Sequence, residues 1–172
     1  MKPTWFVTSA NAVGKEEQKL SEPDWFPRIA STIATNVSSI GLKCYARGKP
    51  PPCDGEEFLW DSSAFIYDDD KTVPKEELFI AQAAIVGEVE RDENGIDYDF
   101  DKLLCVDSLV CFMIIQKKQR RGALDRLERA VRKRQGYARL RGVNRPPAFL
   151  LSCWTWDEQP RFVHSDVFAT VG

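Results

Sequence analysis

The first third of the chain has the apolar spacing of one strand and one helix. TWFVTSA at 4–10 is typical of a strand. The stretch 25–41 is apolar at helical spacing, with Asp24 placed to cap the helix and Gly41 placed to end it. The residues that carry this spacing are Ile29, Ile33, Val37 and Ile40. PPPCDGEE at 50–57 then breaks regular structure.

The middle of the chain has the short apolar runs of a β-sheet. FLWDSSAFIY at 58–67 indicates a strand or a pair of strands, and LFIAQ at 78–82 and AAIVGEVE at 83–90 follow as two further runs. DENG at 92–95 is a turn signal, and IDYDF at 96–100 alternates as a strand does. These patterns predict an antiparallel meander.

The next segment predicts a strand, a helix and a parallel strand. LLCVDSLVCFMII at 103–115 would span about 43 Å if extended, so we expect a bend in it, and its second half is apolar on both faces, as in a central strand. The turn QKKQRRG leads to a helix at 123–135, with Gly136 as its C-terminal cap and YARLRGV at 137–143 as the next strand. A strand, helix, strand unit places its two strands parallel.

The tail adds two more strands and completes the predicted fold. AFLLSCWTW and RFVHSDVFATV are both apolar runs, and DEQP separates them. We therefore predict one α+β domain over 1–172, with a mixed, largely antiparallel central sheet and flanking helices.

Composition indicates a soluble globular protein. The 172 residues are 43% hydrophobic, which is enough for one core. No run approaches the ~18 apolar residues that span a bilayer, and the start has no extended apolar region. We expect a cytoplasmic protein without membrane contact.

The cysteines indicate a reducing compartment. Five cysteines form no CxxC pair, and their odd number argues against a complete disulfide framework. With His164 as the only histidine, we expect no metal site. Cys105 and Cys111 would share one face of the predicted strand as small buried side chains.

Charge is strongly polarised along the chain. Residues 117–145 carry twelve Lys or Arg and two acids, whereas 54–107 carry 17 acids and four bases. The basic segment allows an anionic partner such as nucleic acid. The alternative is a helix whose basic face is simply solvated, because Glu128 and Arg132 are spaced to pair on one helix face.

The entry to the basic helix has the features of an anion site. Gln119, Arg120, Arg121 and Gly122 include none of the usual capping residues, so the first N–H groups of the helix lack a side-chain partner. A positive helix end, a glycine and two arginines favour a bound anion. Capping of the turn by water or by Gln119 is the alternative.

These residues resemble the GNAT superfamily of N-acetyltransferases over about 76–143. The family has a strand followed by Gln/Arg-x-x-Gly-x-Gly/Ala at the start of a helix. The matching residues are Gln119, Arg120, Arg121, Gly122, Ala123 and Leu124. Leu124 departs from the pattern, since the family has a small residue there. LFIAQAAIVGEVE and SLVCFMIIQKKQRRG are also similar to the family's strands.

The resemblance implies an acetyltransferase-like fold and a site. Acetyl-CoA would be the cofactor, with its pyrophosphate held by the 119–124 turn, and the acetyl group would pass directly to an amine of a small molecule or a protein. Splayed central strands would receive the pantetheine near Phe112, Met113 and Ile114. Asp107 and Glu88 are the candidate general bases that deprotonate the amine.

Two other classes of function stay open. The segment 117–145, with Tyr137 among its bases, is also typical of a nucleic-acid-binding surface. A non-enzymatic interaction or inhibitory protein with polarised charge is the second alternative. A hydrolytic triad from His164, Ser165 and Asp166 is not expected, because adjacent strand residues point to opposite faces.

Overall fold

The structure is a computed structural model that describes residues 25–67, 80–90, 92, 94–116, 120–140, 147–155 and 161–167. The predicted strand at 4–10, the Asp24 cap and Gln119 lie outside these residues. The described helices are α1 (Trp25–Ser38), α2 (Ile96–Cys105) and α3 (Arg120–Leu140). The described strands are β1 (Lys43–Ala46), β2 (Ser62–Tyr67), β3 (Ile80–Glu90), β4 (Ser108–Gln116), β5 (Ala148–Thr155) and β6 (Arg161–Val167).

The six strands form one mixed sheet in the order of the sequence, β1-β2-β3-β4-β5-β6. The pairs β1–β2, β2–β3 and β5–β6 are antiparallel, whereas β3–β4 and β4–β5 are parallel. Helices connect the parallel strands, because a parallel connection must carry the chain back along the sheet. The prediction of an α+β fold with a mixed sheet and flanking helices is confirmed.

The helices cover both faces of the sheet. Phe112 and Ile114 of β4 pack in a core with α1, while Met113 and Ile115 pack in a second core with α2 and α3. Alternate residues of a strand point to opposite faces, so α1 lies on one face and the other two helices on the opposite face. The predicted central strand, apolar on both sides, is therefore confirmed in β4.

The predicted helix at 25–41 is present as α1, and Gly41 ends it. Gly41 has a φ of +81°, its N–H donates to Ser38, and the Leu42 N–H donates to the Val37 carbonyl at 3.1 Å. This is the hydrogen-bond pattern of a Schellman cap. Ile40 was predicted on the apolar face but is 71% exposed, because the chain has already left the helix there.

The predicted meander is wrong at IDYDF, which begins a helix. Ile96 and Phe100 fit both a two-residue and a four-residue repeat, but the buried set continues at Leu103, and Tyr98 is exposed. The turn at 92–95 is confirmed, since the Gly95 N–H donates to the Asp92 carbonyl at 3.0 Å. It leads into α2, so β3 and β4 are parallel.

The predicted long strand at 103–115 is two elements. Its first three residues close α2, and β4 begins at Ser108, so the expected bend is the boundary between a helix and a strand. Cys105 and Cys111 consequently do not share a strand face. Cys105 is exposed at the end of the helix, whereas Cys111 is buried.

Helix α3 is longer than predicted at both ends. It begins at Arg120, inside the predicted turn, and continues past Gly136 to Leu140, where a strand was expected. Its core-facing stripe lies within the predicted range. The buried residues of that stripe are Leu124, Leu127, Val131 and Gln135. Gln135 donates to the carbonyl of Pro147, the residue that precedes β5, at 3.1 Å.

The short strand β1 was not predicted, whereas both strands of the tail are confirmed as the antiparallel pair β5–β6. None of the helices in the described part of the chain combines the length and the apolar character needed to cross a membrane.

Candidate functional site

A buried cluster of ionisable side chains lies where β2, β3 and α2 meet. It consists of Asp61, Glu88, Asp99 and Lys102, which we call the carboxylate–lysine centre. Glu88 points towards α2 because it alternates with Gly87, which faces Phe112 on the α1 side.

The secondary structure brings the other members to Glu88. Asp99 and Lys102 are three residues apart on α2 and therefore share one helix face. Asp61 immediately precedes β2, whose first residue, Ser62, pairs with Gly87. The centre therefore depends on one loop end, one strand and one helix.

Lys102 connects two carboxylates of the centre. Its Nζ lies 2.6 Å from Glu88 Oε1 and 2.8 Å from Asp99 Oδ1. The Glu88 side chain is 3% exposed and the Lys102 side chain 33%, so the ammonium group joins a buried carboxylate to the protein surface.

Asp61 is held against the other side of Glu88. The Asp61 N–H points at Glu88 Oε2 over 3.4 Å, and the Val89 N–H donates to Asp61 Oδ2 at 2.9 Å. Arg47 Nη1 lies 3.0 Å from Asp61 Oδ1, and half of the Arg47 side chain is exposed. The two buried carboxylates thus have one cation each, on opposite sides.

Burial controls the protonation of this centre. It raises the pKa of Glu88 from 4.5 to about 7, against the opposing effect of Lys102, and the charge of Asp61 raises it further. Burial also raises the pKa of Asp61, although the Val89 N–H and Arg47 lower it. For Lys102, burial lowers the pKa but the bonds to Asp99 and Glu88 raise it more, so its ammonium form persists. Glu88 therefore exchanges its proton near neutral pH.

These properties suit general acid–base chemistry on an anionic group. A carboxylate with a pKa close to 7 is an effective general base at neutral pH. An adjacent ammonium group stabilises negative charge that develops beside it. Strongly shifted pKa values with a specific charge partner are a recognised property of functional sites.

The centre has a small set of metal-ligating side chains. Among the residues described in 25–167, no group of three or more His, Cys, Asp or Glu could hold a metal ion. Magnesium, however, is usually bound by one or two carboxylates together with water and substrate phosphates. Asp61 and Glu88 are two such carboxylates, but their four oxygens already contact Arg47, the Val89 N–H, Lys102 and the Asp61 N–H.

The two predicted bases have different environments. Glu88 is a member of the centre, whereas Asp107 is exposed in the link between α2 and β4. The adjacent Ser108 pairs with Ala83, five residues along β3 from Glu88, which corresponds to ~16 Å. The structure therefore does not bring Asp107 and Glu88 together.

The splayed strands that acetyl-CoA binding implies are not present at the predicted segment. Phe112, Met113 and Ile114 are fully buried. Their backbones pair with 87–89 of β3 on one side and with 150–152 of β5 on the other, without a register shift. A strand paired along both edges has no backbone groups left for pantetheine. The described strands therefore show no splay at this segment, and a role of these three residues in binding a cofactor stays a prediction.

The predicted pyrophosphate turn lies in the first turns of α3. Arg120, Arg121 and Ala123 are helical residues, and Gly122 is exposed with open space around its Cβ position. Leu124 is buried in the core with α2 and the sheet. Its departure from the family pattern thus has a packing reason, since it begins the apolar stripe of α3.

The basic face of α3 is partly used in internal contacts. Arg126 pairs with Asp97 at the start of α2, and Arg134 donates to the Leu104 carbonyl at its end. The predicted pair of Glu128 with Arg132 is present at 2.6 Å. Two further basic side chains, Arg129 and Lys133, are exposed. The outer face of α3 is therefore cationic but not entirely free.

Three members of the centre were missed in the sequence. The predicted strand at 96–100 contains Asp99, and Lys102 lies between it and the predicted strand at 103–115, so that pattern does not relate the two side chains. A helical repeat through Ile96, Phe100 and Leu103 was the available signal. Asp61 had no signal of its own, because only the pairing of β2 with β3 places it beside Glu88.

No family model and no curated protein matches this chain, and no solved structure matches its fold.

Proposed function

We propose that this protein is a phosphodiester hydrolase that acts on nucleic acid. In this proposal the carboxylate–lysine centre is the chemical site, and the outer face of α3 binds backbone phosphates. The observation that carries the proposal is the buried Glu88 carboxylate, whose pKa is raised to about 7 and whose Oε1 lies 2.6 Å from the Lys102 ammonium. This pair combines a base for water with a cation for phosphate.

The chemistry assigns a different role to each group. The ionised form of Glu88 accepts a proton from the attacking water, the water oxygen forms the new bond to phosphorus, and the ester P–O bond breaks. Lys102 neutralises charge on the non-bridging oxygens, and its ammonium group supplies the proton that the departing oxygen takes up. Asp61, fixed by Arg47 and the Val89 N–H, orients Glu88.

The arrangement of the helices supports a polyanionic substrate. Asp97 and Leu104 of α2 contact α3, whereas Asp99 and Lys102 face the centre, so the two sets lie on opposite sides of one helix. Helix α2, whose diameter with side chains is ~10–12 Å, thus lies between the centre and α3. A nucleic acid carries charges every few ångströms and extends over both.

The closed pairing of β4 argues against acetyl transfer as the activity. The same base would suit an amine substrate, but the predicted pantetheine segment has no free backbone edge. Nucleic acid requires no such channel.

The direct test is cleavage of end-labelled single-stranded and duplex DNA and RNA, each with magnesium, with manganese and with a chelator. We expect a cleaved product from at least one substrate, and at least a hundredfold slower cleavage by Glu88→Gln and Lys102→Met, in line with the ~10²–10⁴-fold contribution of a general base. Asp107→Asn is the matched control, because it neutralises an exposed carboxylate outside the centre. The absence of product from all four substrates under all conditions would refute the proposal.

Binding is tested separately from chemistry with the Glu88→Gln protein. The logarithm of its affinity for nucleic acid should fall linearly with the logarithm of salt concentration. An Arg129→Ala, Lys133→Ala variant should bind more weakly with a shallower slope, while Arg28→Ala, on the opposite face of the sheet, should leave the slope unchanged. Equal slopes in all three proteins would remove α3 as the phosphate-binding face.

A further inference from the structure

Two buried thiols lie together behind the carboxylate–lysine centre. Cys44 of β1 and Cys53 of the following segment both pack in the core with α1, and both are free thiols. Cys44 is fully buried and Cys53 is 7% exposed. Cys53 Sγ also contacts the Ala30 carbonyl of α1 at 4.0 Å. Neither thiol is used by the proposed chemistry.

Backbone contacts hold the two cysteines in this arrangement. The Asp54 N–H donates to the Cys44 carbonyl at 2.7 Å, and the Cys44 N–H donates to Asp54 Oδ2 at 2.8 Å. Tyr45 and Gly55 form a parallel bridge one residue further along. The segment with Cys53 therefore runs beside β1 like a short additional strand, with Asp54 opposite Cys44 and Cys53 one residue away along the chain. The side chains of Cys44 and Cys53 enter the same core from these neighbouring backbones, as a disulfide between them requires.

The segment that follows Cys44 carries a member of the centre. The Ala46 N–H donates to the Gly55 carbonyl, and the Arg47 N–H donates to the Asp61 carbonyl at 3.0 Å. The Arg47 side chain then pairs with Asp61. A covalent link between residues 44 and 53 would consequently restrict the chain that positions Asp61.

We infer that Cys44 and Cys53 are an oxidisable thiol pair whose disulfide fixes the segment 47–61, and with it Asp61, against β1. The oxidant is a disulfide such as oxidised glutathione. The Cys53 thiolate attacks one glutathione sulfur and releases the first glutathione thiolate. Cys44 loses its proton and attacks the mixed disulfide, which releases the second. The pair loses two electrons and two protons, and the glutathione disulfide is reduced to two thiols.

The environment predicts a slow reaction. Burial raises the pKa of Cys44 to about 12, and burial also raises that of Cys53, so little thiolate forms while the segment is closed. The thiolate is the attacking species, so oxidation requires transient opening of the segment. A persistent structural change is therefore expected only under sustained oxidation.

The test uses the full chain with Cys105→Ser, which removes the exposed thiol. After incubation with oxidised glutathione, the protein is denatured, alkylated and analysed by mass spectrometry. We expect two of the four remaining thiols to escape alkylation and a proteolytic peptide that links Cys44 to Cys53. Before alkylation, the oxidised protein should be lighter than the reduced protein by two hydrogens. Four alkylated thiols, glutathione retained on either cysteine, or a link through Cys111 or Cys153 would overturn the inference.

Single substitutions in the same background control the chemistry. Cys53→Ala and Cys44→Ser should each abolish the internal disulfide. The Cys53→Ala protein remains informative if the more deeply buried Cys44 position does not tolerate serine. A link that persists in the Cys53→Ala protein would contradict the assignment.

The structural effect is measured by hydrogen exchange, without nucleic acid, so that its outcome is independent of the proposed hydrolase activity. Oxidation should slow exchange of the Ala46 and Arg47 amides by up to about a hundredfold, the loop-closure factor for a ten-residue ring. The Met113 amide of the central strand is the internal control. A disulfide that forms without slowing Ala46 and Arg47 would refute the restriction of the segment.

Discussion

The protonation of Glu88 predicts a specific pH dependence of stability. Glu88→Gln replaces the carboxylate with a neutral amide of nearly the same shape, so packing is preserved. Lys102 keeps its second partner, Asp99, at 2.8 Å. The substitution therefore removes the titration of one buried group while retaining most of its contacts.

The magnitude follows from the shift in pKa. The folded protein holds the proton of Glu88 up to a pH of about 7, compared with 4.5 for an unperturbed glutamate. Because the folded-state pKa is raised, the stabilisation is fully present below pH 4.5 and is lost as the pH rises to about 7. At 1.36 kcal/mol for each pKa unit, the loss is roughly 3 kcal/mol. The glutamine variant does not undergo this loss.

The assay is urea denaturation of both proteins at intervals between pH 4 and pH 8. We expect the free energy of unfolding of Glu88→Gln, relative to the unmodified protein, to increase by roughly 3 kcal/mol over this range, with most of the change between pH 4.5 and 7. Asp107→Asn provides the exposed control and should show no such trend. A difference that stays constant with pH, or that decreases, would refute the reasoning.

Two further predictions concern the fold, and a third concerns acetyl-CoA. Gly136→Ala should raise the free energy of unfolding, measured by urea denaturation, by roughly 0.5–1 kcal/mol, because this glycine is helical and has open space at its Cβ position. A lower free energy of unfolding would mean that α3 ends at this glycine. Gly87→Ala should destabilise the protein by at least the ~1–3 kcal/mol of overpacking, because the new methyl group would enter the Phe112 ring. When Phe112→Leu is added to the Gly87→Ala protein, it should recover part of the lost stability, because the smaller side chain makes room for the new methyl group. If the destabilisation of the double variant equals the sum of the two single variants, the predicted contact is contradicted. If the protein is the proposed hydrolase, acetyl-CoA should leave the melting temperature unchanged, whereas a concentration-dependent increase would support the predicted acetyltransferase function.

The sequence predicts those elements whose apolar pattern extends over several turns or occupies both faces of a strand. Helix α1 has four turns of regular apolar spacing, and β4 is apolar on both faces, which only a central strand requires. Five-residue patterns are less informative. The spacing of Ile96 and Phe100 fits both the two-residue repeat of a strand and the four-residue repeat of a helix. Leu103 favours the helix, but it belongs to an apolar run that also fits a strand.

The candidate site could be predicted only in part, for a physical reason. Glu88 is recognisable as a carboxylate inside an apolar strand, where its charge needs a partner. Its partners, Asp61 and Lys102, are 27 and 14 residues away, and they approach only when β2 pairs with β3 and α2 folds onto the sheet. Side chains that meet through tertiary contacts leave no spacing pattern in the sequence.

The sheet order β1-β2-β3-β4-β5-β6 also has a consequence for biosynthesis. Each strand pairs with the strand made just before it, so the sheet can extend by one strand at a time as the chain leaves the ribosome. Until β4 arrives, the apolar strand β3 has an open edge that another nascent chain could pair with. A released fragment that ends at Cys105 would therefore be prone to aggregate, whereas in a released fragment that ends at Gln116 strand β4 can cover that edge.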